Sequence, residues 1–497
     1  MDRIKTMKKS MKLIQLTRVA AALLSAGILS SALAQTAPAS STPASSTPAS
    51  STPASSTPAS STPASSTPAS STPASSTPQE ALLQRLDAMQ QEMSKLRAEI
   101  TELKSAQTKT DAAAAQANAA VQEVKQEVAS TGASKPSGGP STVVTGYGEI
   151  NYNRYNNSTN AIRFSGAPDT QADARRVVLG IQHRFNDKTK FVGEFEWEHA
   201  VTSASDRGEA AIEQAFIEHQ VTPNVAIRAG LFLVPMGLLN ERHEPASYYG
   251  VERNVVETAI IPSTWREGGL LAIGTFGNGF TVQGGITTGF DLSKWDSTSR
   301  EGRESPLGSI HQELSFAKAK NLSVIGALDW RGVPGLTLGG AFFTGKAGHG
   351  QLFLTGANPT VTIWDLHARW TPGKWDVSAV YANGTIKNTT SLNIPLASDP
   401  TPIPSRFYGA YVQAAYHVWQ SGEARLSPFA RFERVNTAAG YASLPSGLGR
   451  AADKTETIAT IGASYRFAPS VVFKADVQRF TLNKTNNRFN LGLGWSF

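Results

Sequence analysis

From residue 143 to the carboxyl terminus, apolar and polar side chains alternate with a period of two in segment after segment. A strand turns successive side chains to opposite faces, which gives each segment one greasy and one wet wall. The last nine residues show it most plainly: Phe489, Leu491, Leu493, Trp495 and Phe497 share one face, with small or polar residues between them. The pattern predicts sixteen strands, near 143–154, 173–185, 188–200, 209–221, 225–235, 267–276, 279–290, 322–332, 335–345, 360–371, 374–384, 405–419, 424–434, 455–467, 470–481 and 487–497. Each is long enough to cross a bilayer at barrel tilt, which takes roughly 9 to 11 residues.

The connections support the same reading. Every second one is a tight turn: Asn186-Asp187, Thr222-Pro223-Asn224, Asn278-Gly279, Val333-Pro334, Thr371-Pro372-Gly373, Ser421-Gly422 and Ala468-Pro469-Ser470. The intervening connections are mostly long, notably 236–266, 291–321, 385–404 and 435–454. Short turns therefore gather at one barrel end and long loops at the other, and an even strand number closes the sheet without edges. The terminal aromatic resembles the closing strand of bacterial outer-membrane barrels. The expected fold class is all-β: a 16-stranded transmembrane antiparallel β-barrel over 143–497, preceded by a periplasmic coiled-coil helix and a disordered Pro-rich spacer. A propeller or β-helix would also be rich in strands, but no internal repeat of about 40 residues is present.

Upstream of the barrel the period changes. Lys8, Lys9 and Lys12 precede an apolar run from Val19 to Leu33 that ends in Ala32-Leu33-Ala34, which predicts a signal peptide over 1–34 and a mature start at Gln35. The run is shorter than the roughly 20 residues a spanning helix needs. Residues 35–78 form a Ser-Thr-Pro-Ala-Ser spacer with prolines every five residues from Pro43 to Pro78. Proline fixes φ and removes donors, and the other residues have nothing to bury, so an extended, solvated chain is expected. Within 79–130, Leu82, Leu86, Met89, Met93, Leu96, Ile100 and Leu103 are spaced alternately by four and three. That seam predicts a coiled coil and hence an oligomer. Gly132, Lys135, Pro136, Gly138, Gly139 and Pro140 mark a linker, taken as 131–142.

Composition narrows the chemistry. With no cysteine in 497 residues, disulfides, thiol catalysis and cysteine-ligated zinc are excluded. Modest hydrophobicity with 42 glycines suits a barrel that is apolar outside and polar inside, and the formal charge of +7 permits attraction of anionic solutes. The alternation sends Phe191, Phe195, Trp197, Leu231, Leu233, Trp364, Leu366, Trp370, Trp375, Val377, Tyr381, Tyr408, Val412 and Tyr416 outward. The opposite phase places Arg176, Arg184, Glu194, Glu196, Glu198, Arg228, Arg331, Asp365, Arg369, Arg425, Arg431, Glu433, Arg466, Lys474 and Arg488 along a lumen, together with Gln182, Asp329, His367 and Asp476. Neither lipid nor a dry core accommodates so many ionisable groups, so the interior is expected to be wet.

One long connection, Pro235 to Glu267, is rich in charge and aromatics and carries Glu241, Arg242, Glu244, Glu252, Arg253 and Arg266. Folded inward, it would narrow the lumen and set acids against wall arginines, filtering solutes by charge. Enzyme chemistry is not expected. The eight histidines are scattered, and there is no His-Glu-x-x-His, Gly-x-Ser-x-Gly or phosphate-binding glycine motif. Glu241, His243 and Glu244 lack the spacing of metal ligands on a helix or strand, so no metal and no cofactor are expected. Basic residues interleave with acids and form no nucleic-acid patch.

Arg175-Arg176-Val177-Val178-Leu179-Gly180, Glu194-Phe195-Glu196, Ala211-Ile212-Glu213-Gln214-Ala215-Phe216-Ile217 and Arg228-Ala229-Gly230-Leu231-Phe232-Leu233-Val234-Pro235-Met236-Gly237 resemble the phosphate-selective porin O and P family. The resemblance covers roughly the first half of the barrel. It implies a trimer of sixteen-stranded pores, each with a constricting loop, and the preceding coiled coil is similar to that of trimeric porins for dicarboxylates. The loop here has no lysine cluster. The expected function is passive diffusion of small hydrophilic solutes across an outer membrane, with mild anion preference, by a homotrimer embedded in lipid with its amino-terminal region in the periplasm. The alternative is a structural tether that links the outer membrane to the cell wall, peptidoglycan or another envelope layer, through the coiled coil and spacer.

Overall fold

The computed structural model describes residues 87, 90–98, 101, 139–156, 170–203, 208–351, 356–396, 398–442 and 451–497. The signal peptide, the spacer and coiled-coil positions Leu82, Leu86, Met89, Ile100 and Leu103 lie outside the described residues. In the amino-terminal unit, residues 90–98 are helical and exposed, with Met93 56% and Leu96 54% accessible.

The second unit is one antiparallel sheet closed on itself. Its strands are β1 (Ser141–Tyr155), β2 (Gln171–Arg184), β3 (Thr189–Glu198), β4 (Ala210–Thr222), β5 (Val225–Leu233), β6 (Arg266–Thr275), β7 (Phe280–Thr287), β8 (Ser323–Val333) and β9 (Leu336–Lys346). They continue as β10 (Thr360–Trp370), β11 (Trp375–Lys387), β12 (Arg406–Tyr416), β13 (Trp419–Ser421), β14 (Ala424–Gly440), β15 (Glu456–Ala468), β16 (Val471–Phe480) and β17 (Arg488–Ser496). Segments β12 and β13 both pair with β14 and are two parts of one crossing interrupted at His417 and Val418. Sixteen crossings result, one for each expected strand.

Closure is made by β1 and β17, whose register runs from Tyr147 opposite Ser496 to Tyr155 opposite Arg488. Phe497 exchanges backbone hydrogen bonds of 2.8 and 3.0 Å with Gly146 beyond the last ladder pair. The aromatic terminus thus completes the seam, and every strand has two neighbours.

The outer face carries Ile150, Val177, Trp197, Leu270, Phe342, Leu366, Trp370, Trp375, Val412 and Ile461, all exposed. Polar side chains occupy much of the other face, but that face is not uniformly polar. Phe232, Leu271, Ile325, Phe343, Ile363, Ile386 and Phe407, from β5 to β12, form one buried apolar cluster with Met236, Val256, Ile260, Trp265, Phe290, Leu307 and Ile310 from the connections. Exposure stops following the period-two rule where connections fold back onto the wall. Leu231 and Leu233, expected to face lipid, are buried at 6% and 3% exposure. Leu314 lies against Gly268, the register partner of Leu231, and Glu313 pairs with Arg266, the register partner of Leu233. The stretch 311–316 thereby covers this patch.

Candidate functional site

The connection between β5 and β6 begins with its two stems clamped by Asn240. That side chain donates to Val234 O (2.7 Å) and Trp265 O (2.8 Å) and accepts from Trp265 N (2.7 Å). Beyond the clamp the chain reaches walls far from its own strands. Tyr248 Oη donates to Glu149 on β1 at 2.8 Å, and Tyr249 Oη to Asp376 on β11 at 2.9 Å. Val251 N donates to Asp476 on β16 (2.7 Å) and Val255 N to Glu433 on β14 (2.6 Å). In return the wall donates to loop carbonyls: Ser464 to Tyr249 O, Arg466 to Ala246 O and Lys474 to Gly250 O, at 2.7 to 2.9 Å. A segment touching β1, β11, β14, β15 and β16 at once sits inside the cylinder.

Two kinds of interaction hold it there. The helical turn Val256–Ile260 buries Val256 and Ile260 in the apolar cluster on one side. Glu257 of that turn accepts hydrogen bonds from Leu238 N, Leu239 N, Asn254 Nδ2 and Tyr411 Oη. On the other side, Arg176 anchors a polar wall through Glu149 (3.0 Å), Glu196 (3.0 Å) and Glu198 (3.3 Å). A buried guanidinium holding three carboxylates keeps four charges satisfied together, which such burial requires.

The expected lumen residues fall into three groups. Arg176, Glu196, Arg431, Glu433, Asp365 and Lys474 are buried. Arg431 pairs with Glu433 at 2.7 Å, Asp365 with His367 at 2.6 Å, and Lys474 Nζ lies 3.5 Å from the centroid of the Tyr248 ring. Glu194, Glu198, Arg228, Arg369, Arg425, Arg466 and Arg488 are half-buried, and of these Arg369, Arg425, Arg466 and Arg488 line cavities. Arg228 pairs with Glu218 at 3.0 Å, Arg369 with Asp376 at 2.7 Å, and Arg488 donates to Gln478 and Tyr155. Arg184 and Arg331 are exposed on β2 and β8 near their turns.

Of the loop residues, Glu252 accepts from Asn153 at 3.0 Å and Arg253 donates to Ser263 Oγ and His243 O. Glu241 lies 4.0 Å from Arg228, Arg242 is exposed, and Glu244 accepts from Ser247 Oγ. Arg266 departs from expectation: it is the first residue of β6 and pairs with Glu313 at 3.0 Å, in the patch covered by 311–316. The sequence also gave no sign that Tyr147, Asn151, Asn153, Tyr411 and Glu213 would contact the loop or its anchors. They are single polar residues in otherwise ordinary strand alternation.

Space remains on both sides of the loop. A cavity of about 390 Å³ near the short turns is lined by Arg369, Arg425, Arg466 and His417, with Asp376 its one carboxylate. Another of about 600 Å³ near the long loops is lined by Arg300, Arg303, Lys454 and Arg488 against Glu304, Asp453 and Glu456. Cations outnumber carboxylates in each.

Comparison with solved structures identifies the architecture. OmpF of Salmonella typhi, solved in complex with daunomycin, superposes with a TM-score of 0.50 at 14% identity, over 72% of this chain and 98% of that one. The barrel has the porin fold. The channel DcaP of Acinetobacter baumannii (TM-score 0.45, 15% identity, 72% and 98% coverage) and an anion-selective porin from Comamonas acidovorans (0.45, 12%, 72% and 100%) are also similar. In sequence, an uncharacterized protein of Aquifex aeolicus (strain VF5) is 29% identical over 368 residues, 71% of this chain and 79% of that protein. No family profile matches the chain.

Proposed function

We propose that the chain is a passive channel of the outer membrane of a Gram-negative-type bacterium, passing small hydrophilic solutes through a water-filled lumen narrowed by the loop 234–265. The observation that carries this reading is that loop, hydrogen-bonded across the interior of a closed barrel with charged cavities on either side. Selectivity rings in pores are made of such fixed charges. The excess of cations over carboxylates in both cavities supports a mild preference for anions. Phosphate specificity is not proposed, because the loop carries no lysine although stretches of β2 to β5 resemble the phosphate-selective porins. A homotrimer is proposed from that resemblance and from the heptad seam in 79–130. The barrel, once delivered by its signal peptide, would place the short turns and the amino-terminal region in the periplasm.

Planar-bilayer recording of the purified full chain tests the reading. Stable conductance in triplet steps, with a reversal potential of anionic sign in a salt gradient, is expected. A folded barrel that inserts and stays silent would overturn the channel, and single steps would overturn the trimer.

A further inference from the structure

His243 leaves the lumen loop and meets two carboxylates of the wall. Its Nδ1 lies 2.9 Å from the carbonyl oxygen of Asn240. A carbonyl only accepts, so Nδ1 carries a proton and donates, and Nε2 of the neutral ring presents a lone pair. That Nε2 lies 3.7 Å from Glu213 Oε2, too far for a hydrogen bond, and no other group bonds to it. Glu213 Oε1 is likewise without a partner. Both side chains are buried, at 4% and 0% exposure. Buried polar atoms left unsatisfied are costly, and each calls for a partner.

The backbone aims Glu213 into this gap. The β3–β4 register pairs Glu194 with Gln214 and then Phe195 with Ile212, leaving Glu213 as the extra residue of a bulge. Bulges re-aim side chains, and they gather near sites that bind. Gln214 donates to Glu194 Oε2, and Tyr147 Oη donates to Glu213 Oε2 at 3.1 Å, which orients both carboxylates. One oxygen from each and the imidazole nitrogen lie within 4.8 Å of one another. Arg253, the cation bonded to this part of the loop, contacts the His243 carbonyl and Ser263, not the ligand atoms.

We propose that Glu194, Glu213 and His243 bind one divalent transition-metal ion, with zinc the best fit, and that the ion fastens the lumen loop to β3 and β4. A nitrogen and two carboxylates suit zinc better than calcium or magnesium, which favour all-oxygen shells of six or more ligands. Ligand atoms around four-coordinate zinc sit about 3.3 Å apart, given bonds of about 2.0–2.2 Å, so a small closure of the side chains is sufficient. The outer partners are those metal ligands use: a backbone carbonyl on the second imidazole nitrogen and hydrogen bonds to the carboxylates. The inference does not depend on which solute the lumen passes.

The test is calorimetric titration of Zn²⁺ into the untagged, chelator-stripped full chain in detergent, with barrel folding checked by heat-modifiable gel migration. One ion per chain is expected, bound at least tenfold more weakly by His243→Ala and by Glu213→Gln, while His183→Ala on β2 and His219→Ala on β4, whose rings bond to Thr142 and Thr189 instead, bind as the unaltered chain does. Thermal unfolding should shift upward with Zn²⁺ in the unaltered chain and in the two control variants, and by less in His243→Ala and Glu213→Gln. If Glu213→Gln fails to fold, Glu194→Gln replaces it. Absence of stoichiometric binding, or binding undisturbed by His243→Ala, would overturn the site and leave a simple imidazolium–carboxylate pair.

Discussion

Arg425 and Arg466 stand opposite each other in the β14–β15 register, and among the described residues neither forms an ion pair. Nearby Arg369 and Arg431 do, with Asp376 and Glu433. Like charges directly across a ladder are destabilising. Both guanidinium groups line the same cavity near the short turns.

Removing one member of the pair therefore separates stability from selectivity. Arg425→Ala, which keeps the Arg466 hydrogen bond to Ala246 O, is expected to leave the barrel as stable as before, or slightly more so, and to reduce the anion-to-cation permeability ratio by at least about twofold. Reversal potentials in a salt gradient measure it. An unchanged ratio would remove Arg425 from the conduction path.

Glu257 holds the loop's helical turn by accepting four hydrogen bonds. Glu257→Ala would strand two backbone donors, an amide and a phenol in a buried setting, at about 1–3 kcal/mol for each group left unpaired. The wall ladders do not involve this side chain. The expected outcome is a folded barrel with a loosened loop: noisier, larger single-channel conductance and easier proteolysis between 236 and 265. Unaltered conductance and protease resistance would show that the apolar contacts alone suffice.

The connection between β7 and β8 carries its own acid-labile anchor. Asp291 accepts from Lys318 Nζ and Ser293 Oγ, each at 2.8 Å, and from Gln351 at 3.1 Å. Burial would raise its carboxyl, but the hydrogen bonds and the Lys318 charge outweigh burial and hold it below the ordinary value. A depressed carboxyl contributes stability that is fully present above its unfolded value, about 3.9, and is lost as pH falls through the folded one. Unfolding temperature should therefore decline more steeply below about pH 4 in the native chain than in Asp291→Asn. Parallel declines would assign the acid sensitivity to other carboxylates.

The sixteen crossings were legible because alternation is a local property: Trp375, Val377 and Tyr381 announce a face without reference to any neighbour. The inward loop was legible too, from charges and tyrosines too numerous for a plain connection. The apolar inner wall was not. In Ala341-Phe342-Phe343 two aromatics are adjacent, one exposed and one fully buried, and a period-two rule cannot tell which faces the loop. Glu213 was hidden for a related reason. A bulge adds one residue, and the phase of every later position shifts without a mark in the sequence. Leu231 and Leu233 keep the face opposite Phe232, but that they and Arg266 would be covered there was hidden, because the cover comes from residues some 45 to 80 positions onward, as Leu314 and Glu313 show.

Space for the loop is made by glycines on the inner wall, and this gives a last test. A Cβ on Gly409 of β12 would come within 3.0 Å of Ile260 and 3.2 Å of Val256, the two apolar anchors of the loop's turn. A Cβ on Gly384 of β11 would meet the ring of Phe407, its register partner, at 2.0 Å, and that ring is fully buried. The two positions should fail differently. At Gly409 the obstacle is the loop itself, so Gly409→Val is expected to displace the turn, with a folded barrel and altered conductance. At Gly384 the obstacle is the packed wall, so Gly384→Val should lower thermal stability, by the roughly 1–3 kcal/mol typical of overpacking, before it changes conduction. Gel migration with and without heating reads the barrel, and single-channel conductance reads the loop. Equal effects of the two substitutions on both readouts would mean that loop and wall unfold as one unit, contrary to the separate anchoring argued from Asn240, Glu257 and Tyr248.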